Sequence, residues 1–137
     1  MIVIDSSLWI AIYRDISGQI GARAAERVGG EGVAMLPPIA MELLQGARDE
    51  NEWRKLSNEI NKLPSLALAP DCWERSARLY FDLRRAGGTV RGSIDCLIAQ
   101  TCLAENCLLL HCDRDFEAIA SVCPLQQVRV DVTKATQ

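Results

Sequence analysis

The sequence has few of the residues that build zinc sites, disulfide frameworks or membrane spans. Only 5% of its 137 residues are aromatic, one is a histidine, and the six cysteines form no C-x-x-C pair. Zinc sites usually draw on two close pairs of Cys or His ligands, so this pattern disfavours one. No apolar run approaches the ~20 residues of a membrane helix, and the start Met1–Asp5 lacks the basic region of a signal peptide. We therefore expect a cytoplasmic protein with reduced thiols and no membrane association.

The overall composition is that of an ordinary globular chain. Apolar residues make up 49% and charged residues 24%, which excludes disordered and collagen-like classes. The length predicts a single domain over residues 1–137. A net charge of −3 argues against nucleic-acid binding through a broad basic surface. It does not exclude a nucleic-acid substrate that the protein binds through metal ions. Twelve of the 15 basic residues are arginines, a bias that fits phosphate contacts and is explained equally well by GC-rich codon usage.

Short apolar runs alternate with helical patterns along the whole chain. The predicted strands are Ile2–Ile4, Val33–Leu36, Leu66–Leu68, Cys107–His111 and Gln127–Val132. The predicted helices are Leu8–Tyr13, Ile20–Val28, Ile39–Leu44, Glu50–Lys62, Asp71–Arg85, Ile94–Glu105 and Phe116–Ser121. Such alternation is typical of an α/β fold, in which helices cover both faces of a parallel sheet.

Several local signals set the expected helix ends. Ser93 is expected to cap the helix that follows it, and Asp49 with Glu52 resembles a capping box. The helix ending at Arg85 should stop at Gly87 and Gly88. Its spacing predicts a stripe of three residues on one helix face, Trp73, Ala77 and Tyr80.

Acidic residues occur where the predicted strands and helices would bring them together. Asp5 and Asp113 follow two strands, and parallel sheets carry their sites at the carboxyl ends of strands. Asp95 lies in the first turn of a helix, and Glu42 lies one turn into another. Each acid alone is explained by capping, by a helix dipole or by solvation. Together they would repel one another unless a cation lay among them.

A cluster of carboxylates without His or Cys favours a hard cation such as Mg²⁺ or Mn²⁺. Such an ion lowers the pKa of a bound water and neutralises charge on a phosphoryl group. The chemistry that the residues favour is hydrolysis of a phosphodiester. Whether one or two ions act stays open at this point.

Four segments of the sequence resemble the motifs of PIN-domain nucleases, and in particular the VapC-type toxin ribonucleases of prokaryotic toxin–antitoxin pairs. The segments are Ile2–Ile10 with Asp5, Pro38–Gly46 with Glu42, Ser93–Ala99 with Asp95, and Leu109–Phe116 with Asp113. Each motif is weak by itself, but four in this order and in these contexts are specific. His111 departs from the pattern, because many relatives carry Thr or Ser there. We interpret His111 either as a hydrogen-bond donor to residues that surround the site or as a packing residue, without a direct catalytic role.

The resemblance implies a fold, an activity and a partner. The fold is a three-layer α/β/α sandwich around a parallel sheet of four or five strands. The activity is Mg²⁺- or Mn²⁺-dependent endonucleolytic cleavage of RNA, such as tRNA, rRNA or mRNA. The partner is a VapB-type antitoxin whose C-terminal segment blocks the site, and the toxin is a homodimer that also forms a hetero-oligomer with the antitoxin.

The resemblance also assigns roles to the acids of this sequence. Asp5, Asp95 and Asp113 would bind the metal, the first two most directly, and Glu42 would position a second metal or the attacking water. The auxiliary candidates are Asp115, Ser6 and Ser7, and the substrate-binding candidates are Arg91 and Arg114, with Arg84 and Arg85 farther out.

The sequence further suggests surfaces for partners. The predicted hairpin Ile39–Lys62 is our candidate antitoxin groove, since an amphipathic helix needs an apolar cleft. Three aromatic residues on helices, Trp9, Tyr13 and Trp53, are candidates for a dimer or antitoxin surface, and at least one of them is expected to pack in the core instead.

Other acidic α/β folds fit less well. A receiver-like phosphoacceptor domain would place adjacent acids after the first strand, where this chain has Ser6 and Ser7. A phosphatase with an aspartyl nucleophile would show Asp-x-Asp there. The non-enzymatic alternative is a catalytically silent PIN-like module that binds RNA or protein.

Overall fold

The computed structural model describes residues 1–133, which form four strands and seven helices. The strands are β1 (Ile2–Ile4), β2 (Val33–Ala34), β3 (Leu108–His111) and β4 (Gln127–Arg129). The helices are α1 (Ser6–Arg14), α2 (Gln19–Val28), α3 (Pro37–Gln45), α4 (Glu50–Asn61), α5 (Cys72–Arg85), α6 (Ser93–Ala104) and α7 (Arg114–Ala120). No helix within this part of the chain is both long and apolar enough to cross a membrane.

The strands form one parallel sheet in the order β2-β1-β3-β4, as the alternating pattern predicts. Both neighbours of β1 pair with it in parallel, Ile2 lying opposite Val33 on one side and Leu108 on the other. Successive strand residues face opposite sides of a sheet. Accordingly, Val3 packs in one apolar cluster and Ile4 in another, so the sheet has a core on each face. The three-layer architecture is confirmed.

The predicted strand Leu66–Leu68 is wrong. The structure has only an isolated bridge there, between Met35 and Ser65, with the Leu66 amide donating to the Met35 carbonyl. The neighbouring strand β2 is too short to pair with a further strand, because it ends at Ala34 and the two prolines that begin α3 follow shortly after. The predicted last strand is also shorter than expected and ends at Arg129.

The stripe predicted on α5 is not the face that the helix buries most deeply, although Tyr80 packs partly against the core. Trp73 is 64% exposed, and the residues that face the core are Cys72, Ser76, Leu79 and Leu83. Both sets satisfy helical spacing, and α5 packs against α6. At the start of α6, the N-cap residue is Gly92 rather than Ser93, and no side chain caps the helix.

The turn after α5 matches its prediction and brings α6 towards the site. The amides of Gly87 and Gly88 donate to the carbonyls of Arg84 and Leu83, which ends the helix. Gly87 has a φ of 86°, a value that favours glycine. At Gly88 a Cβ would overlap the Leu83 side chain. The chain then returns towards the sheet, and the first turn of α6 carries Asp95.

All six cysteines are free thiols, and four of them are buried. Burial raises the pKa of the Cys96 thiol to about 11, so the thiol form persists at neutral pH. The cysteines therefore behave as small apolar residues, as expected from their spacing.

Candidate active site

Asp5 combines the two roles that the sequence left open for it. Its Oδ2 accepts a hydrogen bond from the Ser7 amide at 3.0 Å and thereby caps α1. Its Oδ1 is buried and has no hydrogen-bond partner among residues 1–133. A buried carboxylate oxygen without a partner is costly, because its hydration has been lost and not replaced. One oxygen therefore holds the helix, and the other is left for a ligand.

Ser6 and Ser7 connect Asp5 to its neighbours. The Ser6 hydroxyl donates to Glu42 Oε1 at 3.2 Å, which ties α1 to α3. The Ser7 hydroxyl accepts from the Cys112 amide at 3.3 Å, which ties α1 to the end of β3. Ser6 therefore donates to a carboxylate of the site, one of the two roles that its position after β1 suggested. The other role, capping of α1, belongs to Asp5 and to neither serine.

Three aspartates from two segments form the tightest part of the site. Asp95, Asp113 and Asp115 each place a carboxylate oxygen within 4.8 Å of the others. Asp113 caps α7 by accepting the Asp115 amide at 2.9 Å. Asp115 is 8% exposed, and its Oδ2 accepts the Arg91 amide at 3.3 Å. The sequence suggested Asp115 only as an auxiliary residue, although it lies two residues after Asp113.

Electrostatic coupling extends this group to all five acids. Burial, followed by the charges of Asp5, Asp113, Glu42 and Asp115, raises the pKa of Asp95 to about 7. Burial also raises the pKa of Asp5, and the hydrogen bonds from Ser7 oppose that rise. The pKa of Glu42 is raised by burial and by Asp5, while the Ser6 hydroxyl lowers it. The sequence-predicted acids therefore share one electrostatic site.

The donor set suits a hard divalent cation. Within the described residues, none of the five acids forms a salt bridge with Lys or Arg. The available donors are carboxylate oxygens, which Mg²⁺ and Mn²⁺ prefer. The unpaired Oδ1 of Asp5 and the raised pKa of Asp95 are both features that a bound cation would relieve. The residues present therefore fit such an ion.

His111 lies behind the acids and is completely buried. Its Nδ1 is 3.1 Å from the Asp113 amide nitrogen, and its Nε2 is 2.6 Å from Gln127 Oε1. Its ring also packs against Phe116, with centroids 5.1 Å apart. Both ring nitrogens are engaged, so His111 does not contribute a metal ligand in this arrangement.

The candidate phosphate-binding arginines lie at the edge of the acidic group. Arg91 and Arg114 are exposed, the first held through its backbone by Asp115 and the second located between two acids in the chain. The guanidinium groups of Arg84 and Arg85 instead lie over the rings of Tyr80 and Phe81, at 5.8 and 5.5 Å. Contacts of all four with a substrate remain predictions.

A groove of about 590 Å³ runs between α1, α3 and α4. Its apolar lining consists of Ile10, Tyr13, Leu43 and Leu56, and its charged lining includes Arg14, Arg48, Lys55, Glu52 and Glu59. Glu42 also lines it, so the groove opens onto the acidic site. The predicted hairpin supplies two of its walls. The sequence did not predict that α1 forms the third wall of the groove, because no local pattern shows which helix packs across the hairpin.

The aromatic candidates have different surroundings. The rings of Trp9 and Tyr13 stack with centroids 5.9 Å apart, and only Tyr13 lines the groove. Trp9 also packs against the core. Trp53 is exposed on α4.

Comparison with protein families shows a match to the PIN domain over residues 2–122. Two relatives are the VapC ribonuclease Mb1587 of Mycobacterium bovis and the ribonuclease VapC11 of Mycobacterium tuberculosis. Each is 41% identical to the chain over 131 residues, covering 92% of the chain and 96% of the relative.

Solved structures of similar fold come from toxin–antitoxin complexes. VapBC2 from Rickettsia felis, bound to a DNA fragment from its promoter, aligns with a TM-score of 0.77 and 20% identity, covering 96% of this chain and 100% of that one. VapBC-1 from nontypeable Haemophilus influenzae aligns with a TM-score of 0.76 and 20% identity, covering 94% and 98%. At this identity the structures support the fold alone.

Proposed function

The chain belongs to the PIN-domain family, and we propose that it is a metal-dependent endoribonuclease that acts as the toxin of a type II toxin–antitoxin pair. The observation that carries the proposal is a group of five coupled carboxylates, three of which follow β1 and β3 while the other two lie on α3 and α6. None of the five forms a salt bridge among the described residues. The relatives named VapC ribonucleases support RNA as the substrate.

The proposed cofactor is Mg²⁺ or Mn²⁺. Asp5, Asp95 and Asp113 would hold it, with Glu42 at the edge of the site, and we add Asp115 because of its place in the tight aspartate group. When bound, such an ion supplies a water of lowered pKa and neutralises charge on the phosphate.

The side chains of this protein prepare the site for that chemistry. Ser6 holds the Glu42 carboxylate, which we propose orients the attacking water. Asp5 presents its unpaired Oδ1 from a rigid helix cap. Arg91 and Arg114, at the rim, would bind substrate phosphates through their guanidinium groups.

The proposed partner is a VapB-type antitoxin. The groove between α1, α3 and α4 has the apolar floor and mixed charged rim that an amphipathic segment requires. Because Glu42 lines the groove, a segment bound there would reach the acidic site. We also propose that the toxin is a homodimer, that it forms a hetero-oligomer with the antitoxin, and that it acts in the cytoplasm.

RNA cleavage with mapped product ends tests the proposal. Wild-type protein and Asp5→Asn are compared with Mg²⁺, with Mn²⁺ and with EDTA. Asparagine still caps α1, so the variant should fold while lacking the carboxylate charge. We expect discrete new ends from wild type with metal and at least a ~100-fold loss for the variant.

Three results would contradict the proposal. Equal cleavage by wild type and Asp5→Asn would reject the site. Identical cuts in EDTA would reject the metal dependence. RNA binding without cleavage of total cellular RNA would favour the catalytically silent PIN-like module.

A further inference from the structure

The buried His111 has a hydrogen-bonding arrangement that admits one protonation pattern. The Asp113 backbone amide can only donate, so Nδ1 must accept with its lone pair. The ring proton then lies on Nε2, which donates to Gln127 Oε1 at 2.6 Å. A proton on Nδ1 would set two donors against each other. The Asp113 amide therefore selects this tautomer, and Gln127 supplies the acceptor that satisfies its Nε2 proton.

The sheet register brings this pair together. His111 is the last residue of β3, and Gln127 is the first residue of β4, opposite Leu109. Residues two apart on a strand share a face, so His111 and Gln127 point to the same side of the sheet. The Val130 amide also donates to the His111 carbonyl at 2.8 Å, which fixes the backbone at this point.

The hydrogen bond to Nδ1 holds the segment that presents Asp113. The Asp113 carbonyl accepts from the Phe116 amide at 3.2 Å, and its Oδ1 accepts from the Asp115 amide. Those two bonds come from α7 itself. The His111 contact acts on the other side of the residue, on the amide that precedes the helix.

We propose that His111 and Gln127 are a positioning pair that fixes the Asp113 carboxylate towards Asp95 and Asp115. Neither residue touches substrate or the reacting atoms. The proposal rests on the proposed function only in that the positioned carboxylate serves a metal site. A positioning residue of this kind typically changes metal affinity or activity by about 10–100-fold when it is lost.

Two substitutions of His111 separate its two contacts. In His111→Asn, the side-chain oxygen takes the place of Nδ1 along the covalent chain and can accept from Asp113. In His111→Gln, the side-chain nitrogen takes the place of Nε2 and can donate to Gln127 but not serve Asp113. A third variant, Gln127→Met, removes the acceptor from a partly exposed position and leaves His111 in place.

Three readouts are measured on the full chain. NMR of the imidazole nitrogens identifies the tautomer, hydrogen exchange reports the Asp113 amide, and electron paramagnetic resonance measures Mn²⁺ binding. We expect an Nε2-protonated ring in wild type. In Gln127→Met the ring loses the partner of Nε2, so it should be held less firmly and protect the Asp113 amide less. His111→Asn should keep the Asp113 amide protected and Mn²⁺ affinity within about 3-fold of wild type. His111→Gln should expose that amide and weaken Mn²⁺ binding by about 10-fold.

An Nδ1-protonated ring in wild type would overturn the proposal, as would equal effects of His111→Asn and His111→Gln on the Asp113 amide. The tautomer and the amide are measured without RNA. A protein that fails to cleave RNA but shows these contrasts would thus contradict the proposed function and support the positioning pair. If His111→Gln does not fold, the proposal is tested by the protection of the Asp113 amide, which should fall in Gln127→Met and persist in His111→Asn.

Discussion

Asp95→Asn should stabilise the metal-free protein above neutral pH while removing its activity. The pKa of Asp95 is raised from 3.8 to about 7, first by burial and then by the four neighbouring acids. Ionising such a group in the folded state costs about 4 kcal/mol relative to the unfolded chain. Asp95 is only partly buried and lies among other acids, so solvent screening and coupling reduce this cost. We expect a difference of about 2 kcal/mol in the free energy of unfolding between Asp95→Asn and wild type.

The sign of the effect follows from the order in which the two states lose the proton. Below pH 3.8 the carboxyl is protonated in both states, and wild type and Asp95→Asn should be equally stable. Between 3.8 and about 7 the unfolded chain ionises first, so wild type progressively loses stability relative to the variant. Above pH 7 the difference is complete. It corresponds to about 5–10 °C in melting temperature for a chain of this size.

Thermal and urea unfolding in EDTA, at pH 4.5 and pH 8, measure this difference. Glu74→Gln is the matched control, because Glu74 also lies in the first turn of a helix but is exposed. Losing that charge at a helix N-terminus should destabilise the protein by about 0.3–1 kcal/mol, the opposite sign. A variant Asp95→Asn that is less stable than wild type at pH 8, or equally stabilised at both pH values, would refute the crowding of acids around Asp95.

Three further outcomes are expected. Mn²⁺ at 100 times its dissociation constant should stabilise wild type by about 2.7 kcal/mol in thermal unfolding, and Asp95→Asn should lose most of that gain. Glu42→Gln should slow RNA cleavage by at least about 10-fold while Mn²⁺ affinity changes by less than about 3-fold; equal losses would contradict its separate role. Leu56→Glu, in the groove, should weaken binding of a VapB-type antitoxin by at least about 10-fold and leave cleavage unchanged, whereas Trp73→Glu on α5 should alter neither.

The sequence determines the order of the elements and the positions of the acids along them. Asp5 and Asp113 follow apolar runs that have to be buried, so their places at the ends of β1 and β3 are set by local hydrophobicity. The end of α5 is set equally locally, because only glycine adopts the backbone at Gly87 readily and only glycine fits against Leu83 at Gly88. Such features depend on a few adjacent residues.

Helix faces and strand pairing are not determined in this way. Helical spacing is compatible with burial of either the Trp73 side or the Leu79 side of α5. In the structure the Leu79 side is buried, and α5 packs against α6. The strand predicted at Leu66–Leu68 has the right composition but only a single bridge, between Met35 and the preceding Ser65. A strand forms only where a partner of sufficient length lies beside it.

The acidic site shows the same division. The sequence by itself determined which carboxylates follow the strands and begin the helices, since those positions depend on local hydrophobic and capping patterns. Only the tertiary structure decided that Asp115 joins Asp95 and Asp113, and that Gln127 orients His111. These contacts bring Asp95 of α6 to the start of α7 and join residues of two neighbouring strands, so their geometry exists only once the sheet register and the helix packing are fixed.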